Sequence, residues 1–148
     1  MNLEILNKTR KKTVPGDIFA FKPKGSPFMF GRTVTTDALL GGCSCVLVYL
    51  YRATSPTKEK PPRLLPDELL IPPIGTNYQP WLKGYFETVA HVNPKENLLA
   101  QHCFYDSDRD MYFDESSRRL TTPTEPIGMF GLAGIQGIDI LIHNALKK

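Results

Sequence analysis

Apolar residues recur at every second position along several stretches of the chain, the spacing that sends side chains alternately to the two faces of a strand. Asp17 to Phe21, rich in Ile and Phe, predicts one strand. Phe28 to Thr35 predicts its return, with Phe28, Phe30, Arg32 and Val34 on one face and Met29, Gly31 and Thr33 on the other. Between them, Lys22-Pro23-Lys24-Gly25-Ser26-Pro27 is a turn, because proline fixes φ and glycine permits the positive φ of a tight reversal. Gly31 inside the second strand implies a bulge or a close packing partner. Residues 37–42 read as a connector ending in a Gly-Gly turn. Cys43 to Ala53 follows, apolar on both faces, as a strand in the middle of a sheet covered on both sides.

Trp81 to Val92, Leu99 to Tyr105 and Met111 to Phe113 predict further strands, the last extended by Arg118 to Thr121. Asp106 to Arg109 turns the chain between two of them. From Gly134 to Leu146 the period changes. Ile135, Ile138, Ile142, Ala145 and Leu146 form one stripe at helical spacing, so a helix should dock on the sheet.

Two segments lack a period. Residues 1–15 are a polar lead-in with room for one helical turn around Leu3 and Leu6. Residues 54–80 hold Pro56, Pro61, Pro62, Pro66, Pro72, Pro73 and Pro80. Apart from a helical turn at Pro66 to Leu70, this crossover is expected to be irregular, since proline cannot donate into a ladder. Its Leu64, Leu65, Leu69, Leu70 and Ile71 need burial, so it is not a linker. The pattern predicts a mostly β (α+β) fold, one domain over residues 1–148. It would be a single twisted antiparallel sheet or partly open barrel of about five to seven strands with a C-terminal helix packed on it.

Composition agrees. The 148 residues are 41% hydrophobic and 22% charged, enough to bury a core. Thirteen prolines and eleven glycines favour short strands and many turns over long helices. The net charge is only +3, with basic residues grouped at Lys8 to Lys12 and at Lys147-Lys148. A basic stripe with interleaved aromatics, as nucleic-acid binders carry, is absent, and Lys8 to Lys12 read as a solvated tip. No apolar run is long enough to cross a bilayer, and the N-terminus has no signal-peptide pattern. The three cysteines are an odd count, which argues against a disulfide framework and for a reducing cytoplasm.

Candidate chemistry is sparse. Cys43-Ser44-Cys45 and His102-Cys103 do not make the two ligand pairs of a structural zinc site, so small buried cysteines are expected. Asp106-Ser107-Asp108-Arg109-Asp110 begins like a calcium loop, but Met111 stands where the turn glycine belongs and Ser117 where the bidentate glutamate belongs. No serine sits in a G-x-S-x-G elbow and no glycine-rich phosphate cradle precedes a helix. His91, His143 and Glu87 have no visible catalytic partner. No cofactor, metal or catalytic residue is expected.

One segment stands above this background. Asp106 to Glu115 carries Asp106, Asp108, Asp110, Asp114 and Glu115 with one arginine, interleaved with Met111, Tyr112 and Phe113, in an otherwise basic chain. Carboxylates beside exposed aromatics can form a protein-binding edge, with Asp106, Asp108, Asp110, Tyr112, Asp114 and Glu115 as contacts. The same segment also reads as a polar hairpin tip whose aromatics belong to the core.

The opening hairpin carries a family resemblance. Gly16-Asp17-Ile18-Phe19-Ala20-Phe21 followed by Phe30-Gly31-Arg32-Thr33-Val34 resembles the start of the immunity protein 26 family. Lys83-Gly84-Tyr85-Phe86-Glu87-Thr88-Val89 is similar to that family's second characteristic block. The resemblance makes Gly16, Asp17, Phe19, Phe30, Gly31 and Arg32 signature residues with structural roles. Arg32 stays open between a buried, paired arginine and a contact residue. The family implies a cytoplasmic antidote in a bacterial polymorphic toxin system. Such an antidote binds a cognate toxin, often a nuclease, and blocks its active site or the path of its substrate. It implies no catalytic residue, no cofactor, no nucleic acid and no membrane as partner. The binding surface would lie away from the hairpin, at the 106–115 edge first and the proline-rich crossover second. A nucleic-acid-binding β-barrel using Lys8 to Lys12 is the alternative, and a small hydrolase with a site assembled from distant residues is a third.

Overall fold

The computed structural model describes residues 1–148. Two sheets and a C-terminal helix build the fold, so the mostly β class with a packed helix holds, with the strands divided between two sheets. The larger sheet contains β1 (Asp17–Phe21), β2 (Phe28–Leu40), β3 (Cys43–Ser55), β4 (Leu69–Thr76) and β5 (Glu87–His91), in the order β4-β3-β2-β1-β5. Every pair in it is antiparallel. The smaller sheet contains β6 (Cys103–Asp106), β7 (Met111–Phe113), β8 (Arg119–Leu120) and β9 (Ile127–Met129), ordered β8-β7-β6-β9. β6 and β9 run parallel. Between β4 and β5 lies one helical turn, α1 (Gln79–Leu82), and α2 (Ile135–Leu146) closes the chain.

β3 is covered on both faces, as its composition demands. Val46, Val48 and Leu50 point into a cluster with Phe19, Phe21, Met29, Trp81, Phe86 and the α2 residues Ile135, Ile138 and Ile142. On the other face Leu47, Tyr49 and Tyr51 pack with Val34, Leu40 and Phe104 of the smaller sheet. Burying such side chains contributes about 1.5–3 kcal/mol each, which fixes the register of the central strands.

Several sequence expectations change, the strand predicted from Leu99 to Tyr105 among them, since it begins only at Cys103 and runs to Asp106. The lead-in has no helical turn around Leu3 and Leu6; it runs extended, and Leu3 bridges Pro23. Asp139 of α2 holds it there, accepting from the backbone N–H groups of Asn2 (2.9 Å) and Leu3 (3.0 Å) and from Asn2 Nδ2 (3.0 Å). Those bonds meet the need of a carboxylate that is 4% exposed. Residues 37–40 belong to β2, and only Gly41 (φ 62°) and Gly42 (φ 79°) make the turn to β3. Positive φ at both central residues suits the right-handed twist of a two-residue hairpin.

The proline-rich crossover is partly a strand. β4 contains Pro72 and Pro73, and no helical turn forms at Pro66 to Leu70. Two facts make this possible: β4 is an edge strand, and both prolines fall where its register against β3 shifts. Trp81 belongs to α1, and the strand predicted from Trp81 to Val92 shortens to β5. Finally, β9 joins the smaller sheet beside β6 from a stretch with no alternating pattern. It also lies close against β4 of the larger sheet, where a Cβ on Gly128 would stand 2.4 Å from the Pro73 carbonyl oxygen.

Candidate partner-binding surfaces

The signature residues of the opening hairpin are occupied by the fold. Gly16 has φ 95°, and a Cβ there would lie 2.4 Å from the Val92 carbonyl oxygen. Asp17 accepts from Val14 N (3.0 Å) and Thr13 Oγ1 (3.2 Å) and contacts His91 Nδ1 at 3.0 Å, tying the approach to β1 to the end of β5. The Phe19 ring stacks on Phe86, with centroids 4.3 Å apart, and meets Trp81 edge-on at 5.2 Å. That ring lies directly over Gly31, where a Cβ would stand 2.3 Å from Phe19 Cζ and 2.7 Å from the Tyr49 carbonyl oxygen. The β2–β3 register also shifts between Met29 and Gly31, so both readings of this glycine hold. Phe30 packs on the opposite face with Ile18 and Ala20.

Arg32 is buried, as one of its two readings required, but no carboxylate pairs with it. Its Nη2 donates to the Asn93 carbonyl at 3.0 Å, and its Nε has no partner.

The acidic segment forms the hairpin β6–β7, whose tip is Asp106 to Asp110. Asp106 accepts from Asp108 N (3.0 Å) and Arg109 Nε (2.6 Å), and that guanidinium, before any other cause, holds its carboxyl below the usual range. Asp110, at φ 54°, accepts from the Tyr105 hydroxyl at 2.7 Å and pushes that phenol up. Asp108 is exposed and makes no side-chain hydrogen bond. Tyr112 is half-buried beside Tyr105, while Phe113 is buried, stacks on Phe130 at 4.5 Å and lies under the Arg109 guanidinium. The aromatics therefore divide: Phe113 is core, and Met111 and Tyr112 keep part of their surface.

Asp114 and Glu115 sit apart from the tip. Asp114 accepts from Ser116 N and Arg118 N, both at 2.9 Å, and fixes the turn to β8. Glu115 accepts from His102 Nδ1 at 3.1 Å, His102 Nε2 contacts the Tyr49 hydroxyl at 2.6 Å, and that hydroxyl accepts from Leu99 N at 3.1 Å. A proton on Nδ1 serves Glu115, and Nε2 meets the Tyr49 hydroxyl on the other side of the ring. This series of carboxylate, imidazole and hydroxyl looks like a nucleophile relay, but Tyr49 is wholly buried and burial raises its ionisation. It fastens the smaller sheet to β3. Sequence reasoning missed it because His102 and Tyr49 are far apart in the chain; the one available signal was a histidine beside a buried strand.

The remaining sequence candidates disperse. Cys43 is exposed, Cys45 and Cys103 are buried, and burial pushes the Cys45 thiol up to about 11. No group of three or more His, Cys, Asp or Glu side chains could hold a metal ion, and no helix is long and apolar enough to cross a membrane. In the basic tip, Lys12 Nζ lies over the Tyr78 ring at 5.2 Å. Compared with known proteins, the chain has no match among curated proteins or solved structures. Among families, immunity protein 26 matches residues 14–113, from the Gly16 turn through the whole of the acidic β-hairpin. That span covers more than half of the chain and includes every signature residue placed above, and the chain belongs to the immunity protein 26 family.

Proposed function

We propose that the protein binds a cognate toxin domain, a nuclease, and neutralises it by covering its active site or the path of its substrate. Membership of an immunity family supports the antidote role. The observation that carries the finer reading is the tip of β6–β7, which sets three carboxylates against one guanidinium on a projecting turn, with Tyr112 beside it. A nuclease must hold a polyanion, so its cleft is basic. An acidic tip would steer toward that cleft and compete with nucleic acid for it.

The interface centres on Asp106, Asp108, Asp110 and Tyr112. Asp114 and Glu115 are already engaged within the fold, at the turn to β8 and at His102, and lie outside that centre. The test uses the reading frame beside the gene, which is expected to encode the toxin. Co-purification with its product and stoichiometric loss of that product's nuclease activity are expected. Changing Asp106, Asp108 and Asp110 together to Asn should weaken binding at low salt by roughly tenfold or more and flatten its salt dependence. An unchanged affinity and salt slope would move the interface elsewhere. Affinity of the protein itself for DNA or RNA, falling steeply with salt, would favour a nucleic-acid module instead.

A further inference from the structure

Three buried side-chain atoms lack a hydrogen-bond partner: Thr76 Oγ1, Trp81 Nε1 and Arg32 Nε. Only the last belongs to a charged group. A buried ion costs several kcal/mol unless an opposite charge or a full set of hydrogen bonds offsets it. Arg32 is 2% exposed, and the protein supplies it with one carbonyl and the Tyr51 hydroxyl but no carboxylate.

Arg32 stands in the floor of a cavity of about 350 Å³ on the sheet face opposite α2. Ile18 and Tyr51, from the strands on either side of β2, complete that floor. One wall is the proline-rich run through Leu64, and the other is the loop after β5, including Val92. The Tyr51 hydroxyl lies beside the guanidinium. Burial, outweighing the opposing pull of Arg32, pushes its ionisation up to about 12, so it keeps a proton to donate. Arg63 and Glu96 are the charged residues of the rim.

We propose that this cavity is a binding site for a carboxylate on a short apolar stem. The buried fork and the tyrosine hydroxyl would receive the carboxylate, and Ile18, Leu64 and Val92 would cover the stem. A planar guanidinium matches a carboxylate in two-point geometry. Inorganic phosphate fits less well, since it needs donors on every side and these walls are largely apolar. The site takes either a free small organic acid or an acidic side chain presented by a bound protein. It is independent of the acidic tip and of the toxin reading, which can fail without affecting it.

The test observes the Arg32 Nε–H resonance of the whole protein by NMR during titration with butyrate. A saturable shift with a Kd on the order of millimolar is expected for so small a ligand. Butanol, which has a comparable stem and no charge, should leave the resonance in place. Arg63→Ala should weaken butyrate roughly two- to tenfold and Glu96→Gln should strengthen it, by removal of an attractive and a repulsive charge. Both residues are exposed, so these variants keep the fold. Tighter binding of acetyl-Leu-Glu-Leu-amide than of butyrate would assign the site to a protein side chain, and the reverse to a free acid. An unmoved resonance, an equal shift with butanol, or stronger binding of inorganic phosphate would overturn the proposal. A second reading comes from Arg32→Met. If the arginine is kept for a ligand, this variant loses butyrate binding and its urea midpoint holds or rises. A large fall in that midpoint would make Arg32 structural and overturn the proposal as well.

Discussion

The two hairpins β1–β2 and β6–β7 are built alike and used differently. Each pairs antiparallel strands bearing aromatic residues across a turn with a residue at positive φ, Gly25 in one and Asp110 in the other. In the first, Phe19, Phe21, Met29 and Phe30 are all buried and both faces are covered. In the second, Cys103, Phe104 and Phe113 turn inward at the base, Tyr105, Met111 and Tyr112 keep part of their surface, and the tip is exposed from Ser107 to Asp110. A hairpin whose strands are buried on both faces up to the turn cannot vary along them without rebuilding the core. One with a free tip can change its contacts at little cost to the fold. The family signature therefore sits on the hairpin that holds the protein together, and the surface proposed for the partner sits on the one that does not.

The largest effect should come from the packed hairpin. Phe19→Ala removes a ring held between Phe86, Trp81 and the backbone at Gly31. It should cost about 3–5 kcal/mol, read as a fall in the urea midpoint. Gly31→Ala approaches the same contact from the other side. The added methyl has no room, because the ring it meets is stacked on Phe86 and the other neighbour is backbone. About 1–3 kcal/mol of destabilisation is expected. If both changes were tolerated, the first hairpin would be no more fixed than the second, and the contrast would fail.

The same contrast explains what could be read from the chain. The alternation in Asp17 to Phe21 and Phe28 to Thr35 and the doubly apolar run of β3 are consequences of burial, so they show in residue order. The stripe of Ile135, Ile138 and Ile142 does likewise for α2. What stayed hidden depends on contacts between distant segments. Pro72 and Pro73 lie in a strand because it is an edge whose register shifts, and Asp139 pins residues more than a hundred positions away. The acidic cluster was visible as composition. Which carboxylates the fold already uses was not, because that depended on where His102 and Arg109 came to lie.

Glu115 marks the boundary between the fixed and free parts of the second hairpin. The hydrogen bond from His102, its main influence, lowers its ionisation below the ordinary carboxylate value. A carboxyl lowered on folding adds stability that is present above its unfolded-state value, about 4.3, and is lost as pH falls through the folded value. Glu115→Gln keeps an acceptor for His102 and removes the charge. The wild type should therefore have the higher urea midpoint at neutral pH, by less than either core substitution costs. The gap should close as the pH falls below the unfolded-state carboxylate value and through the lower folded one. A gap independent of pH would mean that the hydrogen bond, and not the charge, holds Glu115, and the boundary would have to be drawn from geometry alone.

The smallest effect on stability belongs to the tip, and it sharpens the comparison most. Asparagine at positions 106, 108 and 110 keeps an oxygen to accept from Asp108 N and tolerates the positive φ of position 110, so the turn retains its local bonds. What disappears is charge on exposed or partly covered groups, and solvent screens most of that from the fold. The urea midpoint of the triple variant should match that of the wild type within repeat scatter, while association with the toxin domain slows at low salt. A midpoint lowered as far as Gly31→Ala lowers it would show that the pairs Asp106–Arg109 and Tyr105–Asp110 hold the hairpin in shape. The tip would then be structural in the same sense as the opening hairpin, and a loss of binding in that variant could no longer be assigned to charge.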